Sequence, residues 1–177
     1  MINQNIILTG FMGTGKTTVG KLLANMLEYK FVDTDELIMS RSLMTISEIF
    51  KSKGEAAFRQ MERELALELS QQNRLVISTG GGMLLDSFNA EILEGKNEQS
   101  SEIKGKIFSL FADVDEILTR VSSDSTIERP LLKVDNPKER ITMLLQERKK
   151  SYERFIQIDT TRITPEEVCK IITNMLD

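Results

Sequence analysis

The chain has 177 residues, 40% of them hydrophobic and 28% charged, which suits one soluble globular domain burying about two-thirds of its unfolded surface. A net charge of −4 and a pI near 5.1 argue against the basic face that a nucleic-acid partner requires. A single cysteine, Cys169, excludes an internal disulfide, and the absence of histidine removes the usual general base, leaving the carboxylates as proton acceptors.

The first predicted element is Asn5–Thr9, an apolar run that reads as a buried strand. Met1 to Gln4 leave no room for a signal peptide, and no apolar run reaches membrane-spanning length, so a cytoplasmic protein without a membrane partner is expected. The strand runs into "GFMGTGKTT", Gly10 to Thr18, where Gly10, four residues, and Gly15-Lys16-Thr17 have the spacing of a phosphate-binding P-loop. Glycines there let successive N–H groups turn inward around a phosphate. Lys16 adds a point charge for the outer phosphates, and the Thr17 hydroxyl can ligate Mg²⁺. Thr17 to Leu27 carries Val19, Leu22, Leu23, Met26 and Leu27 at helical spacing, which sets a helix N-terminus against the anion.

Next comes the strand Lys30–Asp33, ending in "DTD", Asp33-Thr34-Asp35. Ligands in open α/β sheets gather at the carboxyl ends of strands, so one carboxylate can serve a metal and the other a substrate hydroxyl. The bland alternative is a cap on the following helix, Glu36 to Ser40, with Asp35 weighed for that role. A capping pattern at Thr45–Glu48 opens a helix containing "GEAAFRQME". Its Arg59 and Glu62, three apart, read on their own as a solvent-exposed ion pair.

A third strand, Arg74–Ser78, leads to Gly80, Gly81 and Gly82, a triplet that suggests close approach of backbone to a ligand. Gly95 to Gly105 is polar and reads as a surface loop before the strand Lys106–Phe111. Ser122 to Asp135 is poor in structure signals yet contains "ERPLL", with Arg129, and reads as a lid. Asn136-Pro137-Lys138-Glu139 starts a helix bearing Arg148, whose fork, like that of Arg129, suits a carboxylate. The strand Ile156–Asp159 and a helix capped at Thr164-Pro165-Glu166-Glu167 close the chain, with Cys169 in an apolar helical stripe that favours packing over reactivity. The alternation predicts a parallel sheet covered on both faces. ATP on the P-loop and a small acceptor bearing hydroxyl and carboxylate groups follow from the clusters together, and the chemistry is phosphoryl transfer to an alcohol.

In Gly10 to Thr17, "DTD", "GEAAFR" from Gly54 to Arg59, Gly80 to Gly82, "RPLL" from Arg129 to Leu132, and Arg148 with Tyr152, the chain resembles the shikimate kinases over nearly its whole length. The resemblance implies a three-layer α-β-α fold of the nucleoside monophosphate kinase type, with a five-stranded parallel sheet. It implies one domain over residues 1–177, a lid over about 122–135 and substrate-binding helices over about 35–72. It also implies transfer of the ATP γ-phosphoryl group to the 3-hydroxyl of shikimate, the fifth step of chorismate synthesis. Gly13, Thr14, Gly15, Lys16, Thr17 and Thr18 would hold ATP, with Arg120 nearest to the family's arginine on the nucleotide side of the lid. Thr17 and Asp33 would serve Mg²⁺, and Lys16, Asp35 and Arg129 the transfer itself. Asp35 would orient the shikimate hydroxyls, Arg59 and Arg148 would clamp its carboxylate with Glu62 fixing Arg59, and Gly80, Gly81 and Gly82 would offer N–H groups. A monomer with small-molecule partners is expected. The competing readings are a gluconate or nucleoside monophosphate kinase of the same architecture, and a non-catalytic nucleotide-binding regulator. A pure binder, however, has no need of Asp35 and Arg59.

Overall fold

The computed structural model describes residues 4–99, 102–123 and 134–176. Its elements are, in chain order, β1 (Asn5–Gly10), α1 (Lys16–Leu27), β2 (Lys30–Asp33), α2 (Thr34–Ser42), α3 (Ile46–Ser70), β3 (Leu75–Ser78), a 3₁₀ turn (Met83–Leu85), α4 (Ser87–Glu94), β4 (Gly105–Phe111), α5 (Val114–Ser123), α6 (Pro137–Tyr152), β5 (Ile156–Asp159) and α7 (Pro165–Asn174). The strands form one parallel sheet in the order β2-β3-β1-β4-β5.

Strands β1 and β3 are buried along their whole length, as parallel strands covered on both faces must be. The two-residue period then divides β1 between two cores. Ile6 and Leu8 pack with Val19 and Leu23 of α1 and Val168 and Ile172 of α7. Ile7 points the other way, to Leu65 and Leu69 of α3 and Ile92 of α4. The result is the expected three-layer α-β-α arrangement. A third cluster, with Phe11, Ile117, Ile141, Leu144 and Tyr152, packs α5 and α6 beside the carboxyl end of the sheet. Cys169 is fully buried with its thiol toward the Val19 carbonyl, so its role is packing.

Helix starts follow their caps. Thr45 with Glu48 and Thr164 with Glu167 form reciprocal capping boxes, and Asn136 accepts from the Glu139 N–H. Some boundaries differ from the sequence reading. Helix α2 begins at Thr34 rather than Glu36 because Asp33, not Asp35, is its cap. Arg74 lies in the left-handed region at φ 56°, so β3 starts one residue later. The polar run after α4 begins at Gly95 as the sequence reading has it, and the φ of 68° there ends the helix in a left-handed turn.

From β1 the chain crosses to β2 on one side, and from β3 it crosses to β4 on the other. The carboxyl ends of β1 and β3 are therefore the topological switch point, where such sheets open a crevice. The P-loop leaves β1 there, and the glycine triplet leaves β3 beside it. Of the expected lid over 122–135, Ser122 and Ser123 end α5 and residues 134–135 precede α6, whereas 124–133, including Arg129, lie outside the described residues.

Candidate active site

The P-loop is shaped by its own backbone. Gly10, Gly13 and Gly15 all have positive φ, at 133°, 78° and 93°. Gly10 also passes so close to β4 that a side chain would overlap the Leu110 carbonyl. Thr14 is fully buried, and its hydroxyl donates to the Phe11 carbonyl at 2.8 Å, bracing the loop from within. Lys16 Nζ lies across the loop, donating to the carbonyls of Gly10 and Phe11 at 2.9 Å each. Thr18 is exposed two residues further along α1.

Asp33 does two jobs at the end of β2. Its Oδ1 accepts the Asp35 and Glu36 N–H groups at 3.1 and 3.3 Å, capping α2, and its Oδ2 accepts the Thr17 hydroxyl at 3.0 Å. That cap turns Asp35 back toward the crevice. The buried Thr34 hydroxyl, also in the first turn of α2, accepts the Gly80 N–H at 2.9 Å and so ties α2 to the glycine triplet.

Each glycine of the triplet faces a different side chain. A methyl on Gly80 would overlap Asp35 Oδ1, and one on Gly82 would sit 3.0 Å from Nη1 of Arg59. At Gly81 the same atom would lie 3.7 Å from both Arg148 and the Tyr152 hydroxyl, which donates to the Gly81 carbonyl at 2.6 Å. None of the three has a positive φ, so close approach rather than backbone conformation explains them. A direct expectation follows for Gly80→Ala. The overlapped atom is the tip of a side chain, so Asp35 must move while the fold stays, and kcat should fall at least ten-fold with little change in melting temperature. Retained activity would show that the position of Asp35 is immaterial.

Burial raises the Asp35 carboxyl to about 6, with Asp33 adding to the rise, and Lys16 and Arg59 pull it back only in part. Asp35 thus senses the P-loop lysine and the α3 arginine together. Arg59 donates from Nη1 to Glu62 at 2.7 Å and from Nε and Nη2 to Glu55 at 3.3 and 3.0 Å. The Arg59–Glu62 pair is not the solvent-exposed one that local spacing suggested. The Glu62 side chain is only 2% exposed, and burial pushes its carboxyl up to about 7 despite Arg59. Arg148 lies over the Phe11 ring at 5.8 Å, with its guanidinium beside Gly81.

Arg120 sits on the outer side of the P-loop. Its guanidinium donates to Glu116, the Gly13 carbonyl, and both the hydroxyl and carbonyl of Thr160. Thr160, buried after β5, in turn donates to the carbonyls of Thr14 and Phe111. Sequence reasoning found neither Thr34 nor Thr160, because each acts across the fold on backbone atoms far away in the chain.

The family model described as "Shikimate kinase" matches residues 12–177. A shikimate kinase of Thermodesulfovibrio yellowstonii is 45% identical over 170 residues, 96% of this chain and 92% of its own. The solved shikimate kinase of Acinetobacter baumannii, in complex with shikimate, superposes with a TM-score of 0.85 at 34% identity, covering 98% of this chain and 92% of its own. A gluconokinase from Sinorhizobium meliloti shares the fold at a TM-score of 0.59 but only 14% identity, over 99% of this chain and 92% of its own. This chain belongs to the shikimate kinase family.

Proposed function

We propose that the chain transfers the γ-phosphoryl group of ATP to the 3-hydroxyl of shikimate, and that its crevice divides the work as follows. The P-loop N–H groups from Gly13 to Thr18 hold the phosphates, and Lys16 turns from the loop carbonyls to the transferred group. Asp35 takes and orients the acceptor hydroxyl and can accept its proton. Arg59 and Arg148 hold the carboxylate, while the N–H groups of Gly80 to Gly82 line the same side. Arg129, read as serving the transfer, lies outside the described residues, and Arg120 steadies the nucleotide side of the P-loop. The carrying observation is the place of Asp35, which lies against Gly80 and within electrostatic reach of both Lys16 and Arg59.

The residues present also fit a magnesium ion. A hydroxyl and a carboxylate oxygen, from Thr17 and Asp33, lie 3.0 Å apart beside the loop, and hard oxygen donors are what this ion takes. No cluster of three or more acidic, histidine or cysteine ligands occurs among the described residues, so phosphate and water oxygens would complete its shell. When bound, the ion neutralises charge on the phosphates.

The test is ADP release measured with shikimate, gluconate and nucleoside monophosphates in parallel. Turnover with shikimate alone is expected, and turnover with gluconate instead would overturn the reading. Arg59→Lys and Arg148→Lys should each weaken shikimate by about 1–3 kcal/mol, since a single ammonium cannot reproduce the fork. An analogue with a neutral amide for the carboxylate should bind wild type and both variants about equally poorly. If the variants lose as much affinity for the amide as for shikimate, the arginines face something else.

A further inference from the structure

Arg59 presents three edges, and each is occupied differently. Its Nη1 donates to Glu62, whose side chain is 2% exposed, a buried pair that is costly to break. The end of its guanidinium abuts Gly82, where an added methyl would lie 3.0 and 3.2 Å from Nη1 and Nη2. The remaining edge, Nε with Nη2, is the one side-on fork available to an incoming carboxylate, and Glu55 Oε1 holds it at 3.3 and 3.0 Å. The Glu55 side chain is 65% exposed, and an exposed pair four residues apart on a helix is weak.

We propose that Glu55 is an internal competitor for the acceptor's carboxylate: it fills the side-on edge of Arg59 in the free enzyme, and the acceptor binds by displacing it. The inference rests on the reading of Arg59 as part of the carboxylate clamp. The chain offers Glu55 somewhere to go. Gly54 breaks the helix with φ 82° and ψ 169°, so Glu55 opens the restarted segment of α3. A carboxylate in a first helical turn is favoured by the free N–H groups there. Nothing lies within 4 Å of a methyl added at Gly54, so the break serves backbone direction rather than packing. A resident carboxylate also keeps the guanidinium aimed and neutralised while the site is empty. Its cost is affinity, and its benefit is that groups too weak to displace it are turned away.

The experiment compares steady-state kinetics and direct shikimate binding for wild type, Glu55→Gln, Glu64→Gln and Arg59→Lys. Glu64 pairs with Gln60 on the same helix and does not touch Arg59, so it carries the same charge change without the contact. Glu55→Gln should bind shikimate about two- to five-fold more tightly and lower its KM in proportion, with kcat within two-fold, while Glu64→Gln stays at wild type. The gain should disappear with the amide analogue, and inorganic anions such as chloride should inhibit Glu55→Gln more strongly than wild type. Unchanged or weaker shikimate binding in a folded Glu55→Gln overturns the proposal, as does an equal gain in Glu64→Gln. Normal shikimate binding by Arg59→Lys is a separate failure, that of the clamp itself.

Discussion

Lys16→Ala should lower turnover by about three powers of ten or more and leave the fold intact. The size of the loss follows from what a preorganised cation does in phosphoryl transfer, where charge is spread over the migrating group and catalysis is mostly positioning and electrostatics. The survival of the fold follows from how the loop is held. The Thr14 hydroxyl to Phe11, Arg120 to Gly13, and Thr160 to Thr14 all fix loop carbonyls independently of Lys16. The carbonyls that Lys16 leaves, those of Gly10 and Phe11, lie at a part-buried position beside the crevice, where water can replace the ammonium. A second consequence is specific to this site. Lys16 is one of two cations that hold the Asp35 carboxyl down, so its removal should move Asp35 further above about 6 and push the pH profile of the residual activity upward. The measurements are kcat by coupled ADP release, a thermal melt, and kcat/KM across pH. Near-normal turnover in a folded variant would remove the lysine from the mechanism.

How much of this was legible in the sequence depends on the range over which each feature acts. The P-loop was legible because its glycines, lysine and threonine are neighbours, and the strand and helix around it show in local periodicity. The three-layer sheet was legible from the alternation of short apolar runs with amphipathic helices. The buried state of Glu62 was missed, although a signal existed. Phe58, Leu65, Ala66 and Leu69 are buried on α3, and Glu62 occupies the slot between them at the same helical spacing. A carboxylate on an apolar stripe, three residues after an arginine, points to a buried pair rather than a solvated one. Asp33 and Asp35 could not be told apart by type, since either carboxylate can cap a helix. The first helical residue, Thr34, decided between them, because it placed the cap on Asp33 and left Asp35 to the crevice. Thr160 left no local trace at all. Its partners, Thr14 and Phe111, lie 146 and 49 residues away.

Asp35→Asn separates the cost of the site from its purpose. In the folded chain this carboxyl ionises near 6 rather than at its ordinary 3.8, because burial and the neighbouring Asp33 disfavour the charge. A raised acid pKa means that the folded state binds the proton more tightly than the unfolded state does. The penalty is therefore absent below about pH 4, grows as pH rises through the interval to about 6, and is complete above it. At about 1.4 kcal/mol per pKa unit, the ionised side chain costs the fold about 2–3 kcal/mol at pH 8. The asparagine variant, similar in shape and never charged, should consequently melt several degrees higher than wild type at pH 8, with the gain shrinking toward zero near pH 4. Its activity should move in the opposite direction. The ionised carboxylate is the form that can orient the acceptor hydroxyl and take its proton, so kcat/KM of wild type should rise with pH through about 6, and the variant should lose at least two powers of ten together with that limb. ATP binding should stay within a few-fold, because the P-loop does not depend on Asp35 for its shape. A variant no more stable than wild type at pH 8 would show that the folded chain does not strain this charge. A parallel fall of ATP affinity with turnover would move Asp35 from the acceptor to the nucleotide side of the crevice.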